Sequence, residues 1–317
     1  MKICVISFDF WNYDAHIVEE LRRKGIDANH INIGAYQHKN FPARVQNTIS
    51  KIVLNRNLKN EQRQQMILQQ LGKLGKQDEI LVINPELIDR EYHEEIKKYA
   101  GKYIAYLYDS LARCPAEHLF DLFDEIFSFD KNDAVKHHFQ LITNYNYLPE
   151  KQLNKNPQFD LVYLASYDNR IEILSKIAKK LQKLDLSYYA KIVGKKAWKE
   201  HLSLDNNRRV FFSRRKLAHA DVPKFYENGK VLLDLIRDHQ TGLSFRFFEA
   251  MALKKKIITD NESVKDYDFF NPNNILVLND DLSNLEKPFF ETDYQELAPE
   301  IYRKYTLENW VETVFDL

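Results

Sequence analysis

The chain has 317 residues, of which 44% are hydrophobic and 13% aromatic. This composition excludes an intrinsically disordered chain and is enough for two domains of roughly 150 residues each. Its 46 basic residues are balanced by 46 acidic ones. A dedicated nucleic-acid binder has a basic surface, so that class drops out and we expect no nucleic acid among the partners.

Glycine and cysteine counts narrow the function classes further. The 8 glycines are spaced so that neither GxGxxG nor GxxxxGK[ST] can be written, which excludes a dinucleotide fingerprint and a P-loop. Cys4 and Cys114 are too few for a disulfide framework or a thiolate zinc site and indicate a reducing cytosol. The sequence shows neither a signal-peptide pattern nor an apolar run of about 18 residues, so we expect a cytoplasmic protein.

Short apolar runs alternate with amphipathic stretches in the N-terminal half. The predicted strands are Lys2–Phe8, Ala28–Ile33, Glu79–Asn84, Tyr103–Tyr108 and Glu125–Phe129. The predicted helices are Ala15–Lys24, Ala43–Leu71, Asp89–Ala100 and Lys131–His138. Strands separated by helices predict a parallel sheet.

The alternation pauses at Thr143–Pro157, a polar stretch without clear period that we interpret as an interdomain linker. It then resumes. The predicted strands are Leu161–Ala165, Tyr188–Val193, Arg209–Phe212, Lys230–Ile236, Lys256–Thr259 and Asn274–Leu278. The predicted helices are Ile171–Leu184, Ser244–Leu253, Asp293–Tyr302 and Leu307–Phe315, the last two opened by the capping residues Thr292 and Thr306.

Two successive α/β units predict an α/β protein with two doubly wound parallel sheets. We expect an N-terminal Rossmann-like domain over residues 1–148 and a C-terminal one over residues 149–290. Residues 291–317 are expected to form helices that pack across both domains.

Ligands of open parallel sheets bind beyond the carboxyl ends of the strands, where loops converge and helix N-termini present N–H groups. The segment His239–Ala250 (HQTGLSFRFFEA) follows one such predicted strand. Gly242 allows close approach of the backbone to a ligand, and Ser244 is suited to cap the following helix. The start of this helix is therefore a candidate anion site.

Arg246 and Glu249 are three residues apart and share one face of that helix. A cation for phosphate oxygens would then lie beside a carboxylate able to accept two ribose hydroxyls. The alternative is an ion pair between the two residues on a solvated helix. A buried or crevice setting is favoured by the apolar neighbours Phe245, Phe247, Phe248, Ala250 and Met251.

The segment VLLDLIRDHQTGLSFRFFEAMALKKKIIT resembles the donor-binding segment of GT-B glycosyltransferases. It is most similar to bacterial enzymes of lipopolysaccharide and capsular polysaccharide synthesis, including the CgeB-like and glycosyltransferase family 4-like groups. Tyr106–Ser110, Ile126–Asp130 and Ala165–Arg170 are similar to other parts of that group. The resemblance implies a GT-B fold, with two Rossmann-like parallel-sheet domains facing across a cleft. The acceptor would be bound by the N-terminal domain and the nucleotide sugar by the C-terminal one.

The resemblance also implies roles for individual residues. Glu249 would accept hydrogen bonds from the donor ribose, and Arg246 or Arg170 would add charge near the diphosphate. Four turn residues would hold the diphosphate on their backbone N–H groups, namely Thr241, Gly242, Leu243 and Ser244. Many retaining members carry a second glutamate eight residues before the first, where this chain has Thr241, so the stereochemical outcome stays open.

Two acids are candidates for the catalytic base that an inverting transfer needs. Asp9 and Asp109 each follow a predicted strand of the N-terminal domain, where either could take a proton from an acceptor sugar. An aspartate in this position can equally well cap the next helix, and that alternative stays open for both.

Metal chemistry has little support in the sequence. The 10 histidines show no HxxxH or HExxH spacing. The stretch Asn279–Asp281 superficially resembles the DxD motif of metal-dependent glycosyltransferases but is more typical of a helix start. We therefore expect no metal, no cofactor and a metal-independent transferase of the hexosyltransferase type.

The resulting hypothesis is a glycosyltransferase that moves a sugar from a nucleotide-sugar donor to a saccharide acceptor in bacterial surface-glycan synthesis. The resemblance implies acceptors that are often lipid-linked, which is compatible with peripheral association with the inner membrane. Two alternatives are open. One is a nucleotide-sugar 2-epimerase, and the other is a non-catalytic binding or scaffold protein with the same architecture.

Overall fold

A computed structural model describes residues 1–9, 11–35, 58–151, 156–194 and 209–317. The chain divides into two compact units. Unit 1 comprises Met1–Thr143 and Trp310–Leu317, and unit 2 comprises Asn144–Asn309. The first part of the predicted helix Ala43–Leu71 lies outside the described residues.

Unit 1 is built on a six-stranded parallel sheet of order β2-β1-β3-β4-β5-β6. Its strands are β1 (Lys2–Ser7), β2 (Asp27–Asn32), β3 (Gln77–Ile83), β4 (Ala100–Leu107), β5 (Glu125–Ser128) and β6 (Gln140–Leu141). The α-helices of its N-terminal part are α1 (Asp14–Arg23), α2 (Leu58–Leu74), α3 (Arg90–Lys97) and α4 (Lys131–His137). The central strands β1 and β3 are buried along most of their length, which is why they read as continuous apolar runs in the sequence.

Unit 2 has a second six-stranded parallel sheet, of order β12-β11-β10-β7-β8-β9. Its strands are β7 (Phe159–Ser166), β8 (Tyr188–Val193), β9 (Val210–Ser213), β10 (Gly229–Asp234), β11 (Lys256–Thr259) and β12 (Ile275–Val277). The remaining helices are α5 (Ile171–Lys183), α6 (Val222–Glu227), α7 (Phe245–Ala252), α8 (Lys287–Glu291), α9 (Pro299–Lys304) and α10 (Leu307–Val314). The predicted pair of Rossmann-like parallel sheets is therefore confirmed.

Both faces of the unit 2 sheet are covered. Along β10, Leu233 belongs to an apolar cluster with Leu174 of α5, whereas the adjacent Leu232 belongs to a second cluster with Phe247 of α7. Because successive side chains of a strand point to opposite faces, this alternation places α5 and α7 on opposite sides of the sheet.

The strand order fixes where a ligand crevice forms in each unit. In unit 2 the order reverses between β7 and β10, and in unit 1 it reverses between β1 and β3. Chains leave such neighbouring strands toward opposite faces, so a crevice opens beyond their carboxyl ends.

Two predictions near the C-terminus were wrong. The predicted helix Asp293–Tyr302 begins six residues too early, because residues 293–298 are coil and α9 begins at Pro299 and continues past Tyr302 to Lys304. Thr292 caps no helix there, because its carbonyl and hydroxyl oxygens accept hydrogen bonds from the buried Lys256. The stretch Asn279–Asp281 forms a turn closed by a bond from the Ser283 N–H to Asp281 rather than a helix start.

None of the helices in the described part of the chain is both long and apolar enough to cross a membrane.

Two glycines provide a matched test of packing at β10. An added Cβ at Gly229 would lie 2.4 Å from Cγ2 of the buried Val162 on the adjacent β7, whereas at the exposed Gly72 of α2 the nearest contact is 3.9 Å away. We expect Gly229→Ala to lower the free energy of unfolding by about 1–3 kcal/mol through overpacking. Gly72→Ala should raise it by about 0.5–1 kcal/mol, because alanine is the better helix former. Urea denaturation midpoints measure both, and a Gly229→Ala midpoint at or above that of wild type would contradict the packing.

Candidate functional site

The sequence-predicted donor residues lie at the switch point of unit 2. β10 ends at Asp234, and α7 begins at Phe245, after a ten-residue loop that contains Thr241 and Gly242. Arg170 is at the start of α5, directly after the loop that follows β7. The fold therefore brings Arg170, the 241–244 turn and α7 to the carboxyl ends of the two strands between which the order reverses.

Ser244 joins the start of α7 to the end of β10. Its hydroxyl oxygen accepts a hydrogen bond from the Arg246 N–H at 3.3 Å, which makes it the N-cap of α7, as predicted. The same hydroxyl donates to Oδ1 of Asp234 at 2.7 Å. Both hydrogen-bonding capacities of one side chain are thus used to fix where the helix begins.

Three side chains donate hydrogen bonds to the carbonyl groups of the turn before α7. Ser263 Oγ donates to the carbonyl of Thr241 at 2.5 Å, and Asn261 Nδ2 lies 3.4 Å from the carbonyl of Gly242. Asn144 Nδ2 donates to the carbonyl of Leu243 at 2.9 Å. The orientation of each peptide unit is therefore set from outside the turn.

The turn also has three consecutive backbone N–H groups that are relevant to ligand binding. Within the described residues, the backbone N–H groups of Gly242, Leu243 and Ser244 have no hydrogen-bond acceptor. Consecutive N–H groups at a helix N-terminus carry partial positive charge and form an anion-binding concavity. The arrangement is suited to a phosphate or diphosphate group.

The Arg246 side chain is 11% exposed and contacts the ends of β7 and β10. Its guanidinium pairs with Asp234 and donates to the carbonyl of Leu164 at 2.6 Å and to the hydroxyl of Tyr226 at 3.3 Å. It also lies 5.4 Å from the ring centroid of Tyr163. Burial alone would lower the pKa of Arg246, but Tyr226 and Asp234 beside it raise that pKa, so the side chain stays charged.

These contacts define an anchor rather than an exposed cation. The ion pair of Arg246 is with Asp234 and not with Glu249, so the i,i+3 pair considered from the sequence is not formed. Direct contact of Arg246 with a phosphate stays a prediction.

Arg170 bridges the ends of β7 and β10. Its guanidinium binds both carboxylate oxygens of Asp168, at 2.8 and 2.6 Å, and donates to the carbonyl of Leu235 at 2.8 Å. Burial would raise the pKa of Asp168, but the paired Arg170 lowers it below its usual range. A second cation, Arg237, lies 3.6 Å from the same carboxylate and is about one-third exposed. Two arginines thus share the carboxylate of Asp168 at the switch point.

Glu249 is only 1% exposed, which agrees with the buried setting expected from its apolar neighbours. The hydroxyl of Tyr147 donates to Oε1 of Glu249 at 2.6 Å. The Tyr147 ring stacks on His219, with centroids 5.0 Å apart. Sequence reasoning missed both aromatic partners, because Tyr147 lies in the polar stretch interpreted as a linker and neither residue belongs to a periodic pattern.

The two predicted catalytic acids belong to unit 1. Asp9 follows β1, is 7% exposed and has a left-handed backbone (φ 45°), and its Oδ1 accepts the N–H of Asp14 at 3.1 Å. It therefore serves at least as a cap for α1. Asp109 follows β4 and forms an ion pair with Arg113, with Nε and Oδ2 3.1 Å apart.

Two further acids, Asp14 and Glu86, lie near Asp9 and Asp109. Neither was among the candidates from the sequence. Burial and then the negative charges of Asp14, Glu86, Asp109 and Asp9 raise the pKa of Tyr108. Burial also raises the pKa of Glu86. The carboxyl edge of the unit 1 sheet is therefore strongly acidic.

No group of three or more histidine, cysteine, aspartate or glutamate side chains in the described ranges has the geometry of a metal site. The expectation of a metal-independent reaction stays a prediction.

Comparisons with known proteins place this geometry in context. Residues 170–310 match the model of a family described as glycosyl transferase-like. The comparison with curated proteins gives no match.

Solved structures similar to the chain over its whole length include transferases and epimerases. One is the apo form of lipopolysaccharide outer core galactosyltransferase WaaB, with 13% identity, TM-score 0.58 and coverage of 100% of this chain and 99% of that one. Another is the Methanocaldococcus jannaschii UDP-GlcNAc 2-epimerase in complex with UDP-GlcNAc and UDP, with 14% identity, TM-score 0.59 and complete (100%) coverage of both chains. A third is the T4 phage BGT with its UDP-glucose substrate, with 13% identity, TM-score 0.53 and 100% coverage of both chains. At this identity the likeness shows the fold, and the fold is GT-B.

Asp14 makes stability depend on pH. Burial and then the charge of Asp9 raise its pKa from 3.8 to about 7. Between these two values the folded protein holds a proton that the unfolded chain has released, so the free energy of unfolding falls as pH rises from about 4 to 7 and levels off above. Asp14→Asn removes the ionisable group, so we expect the variant to lose less stability than wild type between pH 5 and pH 8, measured by urea midpoints.

The control is Asp27→Asn, which alters an exposed aspartate of β2 in the same unit and should respond to pH as wild type does. Equal losses for wild type and Asp14→Asn would show that Asp14 is not protonated in the folded state.

Proposed function

We propose that this GT-B protein is a glycosyltransferase whose unit 2 binds a nucleotide-sugar donor. The observation that carries the proposal is one helix, α7. Three N–H groups at its start have no acceptor in the part of the chain that the structure describes, and the buried carboxylate of Glu249 lies one turn further on. A nucleoside diphosphate has an anionic group and a pair of ribose hydroxyls, and α7 offers a complementary group to each.

The N–H groups of Gly242, Leu243 and Ser244 would bind the diphosphate and stabilise the charge that grows on it as the sugar departs. The carbonyls of this turn already accept hydrogen bonds from side chains, so its N–H groups need little reorganisation to bind an anion. Arg170 and Arg237 add positive charge. This arrangement can replace a metal ion, so we propose a metal-independent transfer.

Glu249 would accept hydrogen bonds from the ribose hydroxyls. The glycosyl transferase-like match over residues 170–310 includes this helix. The solved structures of similar fold include complexes with UDP-glucose and UDP-GlcNAc. We therefore propose a nucleotide sugar as the donor.

Unit 1 would bind the acceptor. In an inverting transfer, a carboxylate takes the proton of an acceptor hydroxyl, the oxygen attacks the anomeric carbon, and the bond from that carbon to the diphosphate oxygen breaks. Asp9 and Asp109 are the proposed bases, because both lie at the acidic carboxyl edge of the unit 1 sheet. The similarity in fold to a lipopolysaccharide outer core galactosyltransferase supports a saccharide acceptor of a bacterial surface glycan. We further propose that this acceptor is lipid-linked and is reached at the inner face of the membrane.

A nucleotide-sugar 2-epimerase is the second candidate. It is favoured by the UDP-GlcNAc 2-epimerase, which is as similar in fold as the transferases. Incubation with a nucleotide sugar alone separates the two, because an epimerase inverts carbon 2 of the sugar whereas a transferase leaves that carbon unchanged.

Glu249→Ala tests the donor site. We expect it to weaken binding of the preferred nucleoside diphosphate at least tenfold, since a hydrogen bond to a charged group contributes about 1.5–3 kcal/mol. Binding of inorganic pyrophosphate should be unchanged, because pyrophosphate has no ribose. Isothermal titration calorimetry measures both affinities, and an unchanged nucleotide affinity would remove Glu249 from the site.

Asp9→Asn and Asp109→Asn test the base. We expect the variant that lacks the base to lose transfer by roughly a hundredfold or more while its affinity for the nucleoside diphosphate is unchanged. The assay of sugar transfer contains EDTA, because the proposal assigns stabilisation of the leaving group to the protein. Full activity of both variants would exclude these acids, and loss of wild-type activity in EDTA would exclude a metal-independent reaction.

A further inference from the structure

The Tyr147–Glu249 hydrogen bond joins two segments that are distant in the chain. Tyr147 and Glu249 are 102 residues apart in the chain, and both belong to unit 2. The phenol donates to one oxygen of a carboxylate that is 1% exposed. A buried carboxylate has a strong preference for well-placed donors, so this bond selects one orientation of the Glu249 side chain.

Tyr147 is itself held in place by its neighbours in sequence. The Asn146 N–H donates to the carbonyl of Tyr305 at 2.7 Å, and Asn146 Nδ2 donates to the hydroxyl of Tyr302 at the same 2.7 Å. Asn144, which is 3% exposed, reaches the carbonyl of Leu243 in the turn before α7. The segment is thus bonded both to α7 and to the region around α9.

Aromatic contacts fix the ring of Tyr147. Its plane is tilted 27° from that of His219 in a stacked pair, and Phe245 in the first turn of α7 meets it edge-on with centroids 6.5 Å apart. With backbone and ring both held, the phenol oxygen has little freedom to leave Glu249. The position of the carboxylate is therefore determined before any ligand arrives.

We propose that Tyr147 is a positioning residue that determines specificity for ribose. It holds Oε1 of Glu249, so that the remaining acceptor capacity of the carboxylate is fixed toward the 2′- and 3′-hydroxyls of the donor. A 2′-deoxyribose offers this fixed, buried carboxylate one hydrogen-bond donor fewer, and a site built to bind a hydroxyl group discriminates strongly against an analogue that lacks it. The inference rests on the proposed function of unit 2.

Tyr147→Phe removes the phenol oxygen and keeps the ring. The ligands are the ribonucleoside diphosphate that binds the wild type most tightly among UDP, GDP, ADP and CDP, its 2′-deoxy form, and inorganic pyrophosphate. We expect wild type to prefer the ribose form, and Tyr147→Phe to reduce that preference roughly tenfold. Pyrophosphate affinity should stay the same in both proteins, measured by calorimetry.

Tyr305→Phe is the matched control. The Tyr305 hydroxyl also donates to a carboxylate, Asp268, at 2.6 Å, and it lies in the same unit. We expect Tyr305→Phe to leave the preference for the ribose form over the 2′-deoxy form unchanged. Circular dichroism melting of each variant checks that it is folded.

A double-mutant cycle separates positioning from a merely structural effect. If Tyr147 acts through Glu249, then Tyr147→Phe should not change the ribose preference any further in a protein that already carries Glu249→Ala, which has no acceptor for the phenol. An equal loss in both backgrounds would overturn the proposal, as would a ribose preference in Tyr147→Phe equal to that of wild type. If wild type binds none of the nucleoside diphosphates, the proposed function fails and this inference fails with it.

Discussion

The buried ion pair of Arg246 and Asp234 is the interaction on which the candidate site depends. Asp234 is the last residue of β10, and Arg246 is in the first turn of α7, so the pair ties a helix start to a strand end. Arg246 also donates a hydrogen bond to the carbonyl of Leu164, which joins β7 to the same junction. Removing one partner of such a buried pair costs about 3–5 kcal/mol, because the other charge is left without compensation. The direction of α7 follows from this junction, and with it the positions of the turn and of Glu249.

A second constraint acts on the turn itself. Three side chains from two separate segments, one containing Asn144 and the other Asn261 and Ser263, hold its carbonyl groups. A helix N-terminus needs its N–H groups satisfied, usually by a cap. Here Ser244 caps only part of the helix start, and the fold holds the other N–H groups in a fixed arrangement. Preorganised donors of this kind stabilise developing negative charge without a reorganisation cost, which is the property a departing diphosphate requires.

Local patterns in the sequence predicted much of this fold and part of the site. Alternating apolar runs located the buried strands, the glycine and serine before an apolar segment located the start of α7, and apolar neighbours predicted the burial of Glu249. The partners of these residues were not predictable in the same way, because they arise from contacts distant in the chain. Arg246 faces Asp234 through the sheet topology, and Tyr147 meets Glu249 from a segment with no periodicity. The N-terminal part of the predicted helix Asp293–Tyr302 is coil for a similar reason, since Thr292 accepts a hydrogen bond from Lys256, a buried lysine of another strand.

The central claim is that the turn before α7 binds the diphosphate of a nucleotide sugar, and glycine-selective labelling tests it most directly. The chain has only 8 glycines, so ¹⁵N-glycine labelling gives a simple spectrum in which Gly242 is the reporter inside the turn. Titration with inorganic pyrophosphate and with a nucleoside diphosphate should shift the amide signal of Gly242 in both cases, while Gly229 at the opposite end of β10 stays in place. Binding of either ligand without movement of the Gly242 signal would contradict the account.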